Sequence, residues 1–66
     1  LKKSPYRGVR WDRRSSKWVA VIGHNYHTIY IGKFEDEGEA AKAYNLKAIE
    51  LKGVGAHLNV VSQSLP

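Results

Sequence analysis

"KWVAVIGHNYHTIYIGKF", residues 17–34, decides what kind of fold this chain adopts. Both ends are rich in β-branched and aromatic residues, and "GHNYH" (23–27) between them has the Gly, Asn and His of a hairpin loop. Alternation along "KWVAVIG" sets Trp18, Ala20 and Ile22 on one face and Lys17, Val19, Val21 and Gly23 on the other. The first set is the inward one. Ile29 and Ile31 of "TIYIGKF" (28–34) join it, which leaves Thr28 and Tyr30 on the open side.

Upstream, Tyr6–Trp11 mixes aromatic and branched residues and predicts a third strand, joined to Lys17 by "DRRSS" (12–16), a turn with a positive tip. Downstream the period changes. From Glu37 to Lys52 the chain is rich in Ala, Glu, Lys and Leu and has no proline, and Ala40, Ala41, Tyr44, Ala48 and Leu51 fall in one stripe about 100° wide. Asp36 and Glu39 have capping-box spacing, and Gly53 is placed to end the helix in the left-handed conformation. The alanines let the helix lie close to the sheet, with core volume supplied by Trp18, Ile22, Ile29, Ile31, Phe34 and Tyr44. Leu46 and Ile49 fall off the stripe and are expected to pack under the returning tail "AHLNV" (56–60). The fold class predicted is α+β: a three-stranded antiparallel sheet packed on one C-terminal helix, βββα, with one sheet face left open.

At 66 residues the chain is one domain, its core expected over residues 5–61, and its start at Leu1 suggests a piece excised from a longer protein. It has no cysteine, hence no disulfide and no thiolate zinc site, and its apolar runs fall far short of the roughly 20 residues that cross a bilayer. An intracellular, monomeric domain without membrane contact is expected. Residues 1–18 hold Lys2, Lys3, Arg7, Arg10, Arg13, Arg14 and Lys17 against Asp12 alone. Residues 19–66 hold four lysines against five acids, so the net charge of +5 lies entirely at the N-terminal end. Such asymmetry points to an anionic partner.

Catalysis and metal binding find little support. His24 and His27 are three apart, but His57 is remote and no cysteine completes a four-ligand site, so the histidines read as polar turn residues and no metal or other cofactor is expected. There is no nucleophile motif and no glycine-rich phosphate loop, and the acids gather at the helix start, where they suit its dipole. The domain is not expected to be an enzyme. Trp18 alternates with Ala20 and Ile22 as a core residue, whereas Trp11 either packs under the arginine turn or lies on a sugar-phosphate surface. Tyr30, on the open face, reads as a contact residue.

"YRGVRW" (6–11), "KWVAVI" (17–22), "YIGKF" (30–34), "EAAKAYNLKAIELKG" (39–53) and "HLNV" (57–60), in this order and spacing, resemble the APETALA-two/ethylene-response-factor DNA-binding domain over residues 5–60. That resemblance implies a sheet, rather than a helix, in the major groove of double-stranded DNA. It makes Arg7 and Arg10 the first-strand arginines that reach bases and phosphates, and Arg13, Arg14 and Lys17 backbone contacts. It also makes Tyr30 a counterpart of a plant tryptophan on sugar or base, and Lys33 a further contact. A family tyrosine that reaches a phosphate corresponds to Tyr44, although the helical stripe turns it inward. Val21, Gly23 and Thr28 stand where plant ethylene-response members have Glu, Arg and Arg, and Asn45 replaces the usual Asp, so the GC-rich plant target is not carried over. The length of "WDRRSSKW" (11–18) is that of the other branch of the family and of family domains attached to phage and bacterial homing endonucleases, and suggests kinship with the non-plant or endonuclease-associated branch rather than with plant ethylene-response factors.

The expected DNA-contact set is therefore Arg7, Arg10, Trp11, Arg13, Arg14, Lys17, Val19, Val21, Tyr30 and Lys33, with the N-terminal lysines adding charge and the two valines facing thymine methyls. The host is either a transcription factor, in the nucleus, or a mobile-element endonuclease whose separate domain cuts, in bacterial or phage cytoplasm. The competing readings are a protein or carbohydrate interaction module using Trp11, Tyr26 and Tyr30, or an RNA binder.

Overall fold

A computed structural model describes residues 4–60. Lys2 and Lys3, expected to add charge, and the end of the expected core at residue 61 lie outside the described residues. Strands β1 (Val9–Asp12), β2 (Lys17–His24) and β3 (His27–Phe34) form an antiparallel sheet in the order β1-β2-β3, followed by helix α1 (Glu37–Lys52) and a single 3-10 turn (Gly53–Gly55). The βββα arrangement is the one the sequence predicts.

β1 is shorter at its start than Tyr6–Trp11. The chain turns there, with the Val9 N–H donating to the Tyr6 carbonyl at 3.4 Å, and Gly8 adopts φ 77°. Val21 N–H still reaches the Gly8 carbonyl at 2.8 Å, so the ladder is continued by one bond beyond the strand. Only glycine suits the position, because a Cβ would run into the Tyr44 ring and the Val21 carbonyl.

β2 and β3 join through a two-residue turn in which Asn25 and Tyr26 have φ 50° and 64°, the type I′ geometry that matches the twist of a hairpin. His24 and His27, read as loop residues, are the last cross-strand pair. Tyr26 is fully exposed and holds a conformation that suits Gly better than an aromatic residue. Tyr26→Gly is expected to stabilise the domain by about 1 kcal/mol, which thermal unfolding would register as a midpoint higher by roughly 4–8 °C. An unchanged or lower midpoint would show that the ring is supported where it stands.

Strict alternation fails once, in β3. Ala20 pairs with Gly32 and Val21 with Tyr30, so Ile31 is the extra residue of a β-bulge. Ile31 packs against both halves of the core, Val9/Ala20/Ala40/Ala41 on one side and Ile22/Tyr44/Ala48 on the other. After the bulge, Gly32 pairs with inward Ala20, Lys33 with outward Val19, and Phe34 with inward Trp18. The bulge thus turns Lys33 outward and Phe34 into the core.

The helix is capped as its sequence implies: Asp36 accepts from the Glu39 N–H at 3.1 Å, and the N–H of Gly53, at φ 68°, returns to the Ile49 carbonyl. Ala20, Ala40 and Ala41 are completely buried and let helix and sheet approach closely. Leu46 and Ile49 do not pack under the tail; they are exposed, as are Leu58 and Val60. The tail docks elsewhere, through Asn59 on the Asn45 side chain and through Ala56 on the Ile22/Tyr44/Ala48 cluster. Polar contacts set its path, a signal that apolar periodicity does not carry.

Candidate nucleic-acid interface

The face of the sheet turned away from α1 is arranged in rows across the strands. Arg10, Val19 and Lys33 are successive cross-strand neighbours, and Val21 and Tyr30 form the next row, with Gly23 and Thr28 beyond them toward the turn. At the other end Asp12 pairs with Lys17, and the β1–β2 turn carries Arg13 and Arg14. Arg7, Arg10, Arg13, Arg14, Lys17 and Lys33 are exposed, Tyr30 is 59% exposed, and Val19 and Val21 are half-buried between them. The surface grades from a cationic end through an apolar centre to a small, polar end.

Trp11 is not on this face. It pairs with Trp18 on the helix side, the rings meeting edge to face with centroids 5.0 Å apart. Alternation from Arg10 accounts for it: if Arg10 faces out, Trp11 faces in. Of the two readings of Trp11, packing is the one the geometry adopts, and the residue leaves the contact set. Tyr44 is turned inward as the stripe implies, 6% exposed with its ring against Gly8.

Asp12 organises the cationic end, a role the sequence reading did not assign. Its Oδ1 accepts from the Arg14 N–H at 3.2 Å and its Oδ2 from Ser15 Oγ at 2.7 Å, while Lys33 Nζ lies 3.1 Å from Oδ2. An Asp followed two and three residues later by such donors is the signature of an Asx-type turn, visible in "DRRSS" in retrospect. The turn is held by its own first residue, leaving both arginines projecting from it. The hydrogen bond from Ser15, then that from Lys33, lower the Asp12 carboxyl below its ordinary value despite the opposing effect of desolvation. A lowered native value means that this carboxylate stabilises the fold above its unfolded pKa and ceases to do so as pH falls through the native one.

Among the described residues, Arg7, Arg10, Arg13, Arg14 and Lys17 have no acid within ion-pair distance, whereas on the helix Lys42 pairs with Glu39 and Lys47 with Glu50. Positive potential is therefore concentrated on the sheet side. No group of three or more His, Cys, Asp or Glu among the described residues is placed to hold a metal ion. No described helix is long and apolar enough to cross a membrane.

Fold and surface together define a small α+β module with one sheet face closed by a helix and the other open and cationic. Comparison with known sequences gives it a family: the AP2 domain matches residues 4–53, and the chain belongs to that family. It is 37% identical over 60 residues, 91% of its own length, to the AP2-like ethylene-responsive transcription factor TOE2 of Arabidopsis thaliana. It is 36% identical to APETALA2-like protein 2 of Oryza sativa subsp. indica over 88% of the chain, and 40% identical to the AP2-like ethylene-responsive transcription factor AIL7 of Arabidopsis over 85%. The chain spans only 12–13% of the length of these relatives. They are plant proteins, and none bears an enzyme's name, so the expected kinship with endonuclease-attached domains finds no support in them.

Proposed function

We propose that this domain is the sequence-specific DNA-binding module of a transcription factor, with the open face of its sheet in the major groove of duplex DNA. The observation that carries this reading is the row Arg10–Val19–Lys33 on the sheet face the helix leaves uncovered. Three strands at about 4.8 Å spacing place the outer two roughly 10 Å apart, which suits a groove about 12 Å wide. Membership of the AP2 domain family and the transcription-factor names of the relatives agree with it. As such a module it would work in the nucleus.

The roles divide by position. Arg13, Arg14, Lys17 and Lys33 neutralise phosphates, which gives affinity without sequence information. Arg7 and Arg10 reach base edges, where a guanidinium donates two hydrogen bonds to guanine, and Val19 and Val21 lie against thymine methyls. Tyr30 covers sugar beside them. Two arginine readers give modest specificity, so the module acts with a second DNA-binding unit.

A salt titration on a duplex chosen by random-sequence selection tests the reading. The logarithm of affinity should fall against the logarithm of salt with a slope of about −3 to −5, as for four to five neutralised phosphates. Duplex RNA and single strands should compete poorly. A flat salt response would instead favour an aromatic sugar or protein site, and equal competition by duplex RNA would favour a reader of RNA shape.

Asp12 is the acid within the three strands, and it restrains Lys33. Asp12→Asn is expected to raise affinity for unrelated duplexes, because it removes a negative charge from the cationic end of the sheet and leaves Lys33 without a competing carboxylate. Its stability at neutral pH should also be lower and fall less steeply on acidification, because the variant lacks the carboxylate whose ionised form stabilises the wild type. Unchanged affinity for unrelated duplexes would mean that the Asp12–Lys33 end of the sheet stands clear of the phosphates.

A further inference from the structure

Arg7 is exposed and lies before β1, yet its peptide is held on both sides by one side chain from far along the sequence. Asn59 Oδ1 accepts from the Arg7 N–H at 2.6 Å, and Asn59 Nδ2 donates to the Arg7 carbonyl at 3.0 Å. Asn59 is itself held in the same manner. Asn45 Oδ1 accepts from the Asn59 N–H at 2.7 Å and Asn45 Nδ2 donates to the Asn59 carbonyl at 2.8 Å. Two carboxamides thus connect the middle of α1 to the tail and the tail to Arg7, each imitating a step of a β-ladder.

The chemistry of this relay requires amides. A carboxamide presents one acceptor and one donor side, which is what a peptide N–H and C=O offer in return. A carboxylate at position 45 would set an acceptor against the Asn59 carbonyl, so Asn45, which departs from the Asp of the resembled pattern, matches the bonds it makes here. The relay also meets Arg7 where it is least supported. The regular strand begins at Val9, and Gly8, with its left-handed φ, lies between.

We infer that Asn59, oriented by Asn45, is the positioning residue for Arg7: it holds the backbone from which the guanidinium reaches the base edge, and so contributes to sequence discrimination rather than to phosphate grip. This rests on the reading of Arg7 as a base-contacting arginine. A side chain is aimed only as well as its backbone is held, and fixing it beforehand removes an ordering cost from binding.

The test is a double-mutant cycle in the 66-residue chain, comparing a selected duplex with an unrelated one for the wild type, Asn59→Ala, Arg7→Ala and the double variant. Asn59→Ala should cut the ratio of selected to unrelated affinity by about tenfold, a coupling of the size expected for directly contacting residues. Affinity for the unrelated duplex and its salt slope should stay unchanged, and the tenfold effect should vanish in the Arg7→Ala background. An equal loss in both backgrounds would make Asn59 merely structural and overturn the inference. If Arg7→Ala diminishes discrimination and Asn59→Ala does not, only the inference fails; if Arg7→Ala itself is silent, the assignment of Arg7 as reader fails with it. Amide hydrogen exchange in the unmodified protein serves even where Asn59→Ala does not fold. The Arg7 N–H should exchange at least about tenfold more slowly than in a free peptide, and exchange at the peptide rate would rule the clamp out.

Discussion

Gly8→Ala is expected to lower the stability of the domain by about 2–4 kcal/mol, combining the cost of a left-handed residue with a Cβ and that of overpacking a filled site. Both causes are present at once: φ is 77°, and a methyl group there would collide with the Tyr44 ring and the Val21 carbonyl. Neither neighbour can step aside cheaply. Tyr44 is buried on the helix, and Val21 belongs to the central strand and bonds through its own N–H to the Gly8 carbonyl. At roughly 4–8 °C per kcal/mol for a domain of this size, the thermal midpoint should drop by at least about 8 °C, measured by circular dichroism. A midpoint equal to that of the wild type would mean that helix and first strand do not meet through Gly8 and Tyr44.

The second large effect is expected in DNA binding. Arg7→Ala with Arg10→Ala should reduce the preference for the selected duplex roughly 30-fold or more, from about 1–3 kcal/mol per bidentate arginine. Arg13→Ala with Arg14→Ala should weaken all duplexes alike and flatten the salt slope by about two. The difference follows from position. Arg10 stands in the row with Val19 and Lys33 on the open face, whereas Arg13 and Arg14 project from a turn at the sheet's end, held there by Asp12 and Ser15. Fluorescence anisotropy on the two duplexes separates the patterns. Similar losses from both pairs would show that no arginine is specialised for bases.

How far such residues can be placed without coordinates depends on the range of the interaction that places them. Asp36, Glu39 and Gly53 act within one helical turn of the groups they satisfy, so the ends of α1 are legible in the sequence. The inward faces of Trp18, Ala20 and Ile22 follow from a period of two, and Arg10 and Trp11 part to opposite faces by the same rule. The Trp11 reading stayed open because the register of β1 against β2 is a contact between strands, and that register is what sets its ring beside Trp18.

Three features lay beyond local pattern. The bulge at Ile31 turns Lys33 outward and Phe34 inward, and it exists because β3 must match β2 on one side and fill two halves of the core on the other. The Asp12 turn was written in "DRRSS", but its bridge to Lys33 required β3 to close the far side of the sheet. The hydrogen bonds of Asn59 span 52 residues to Arg7 and 14 to Asn45, and polar groups so far apart leave no period behind them.

By itself the sequence determined the elements, their order, the helix ends and the cationic excess at one end, because capping, alternation and charge act between residues close along the chain. Tertiary structure alone decided the bulge by which Lys33 comes to face outward, the ring contact between Trp11 and Trp18, and what holds Arg7 in place. Those outcomes depend on strand register and on donor–acceptor pairs that meet only after the chain has closed on itself.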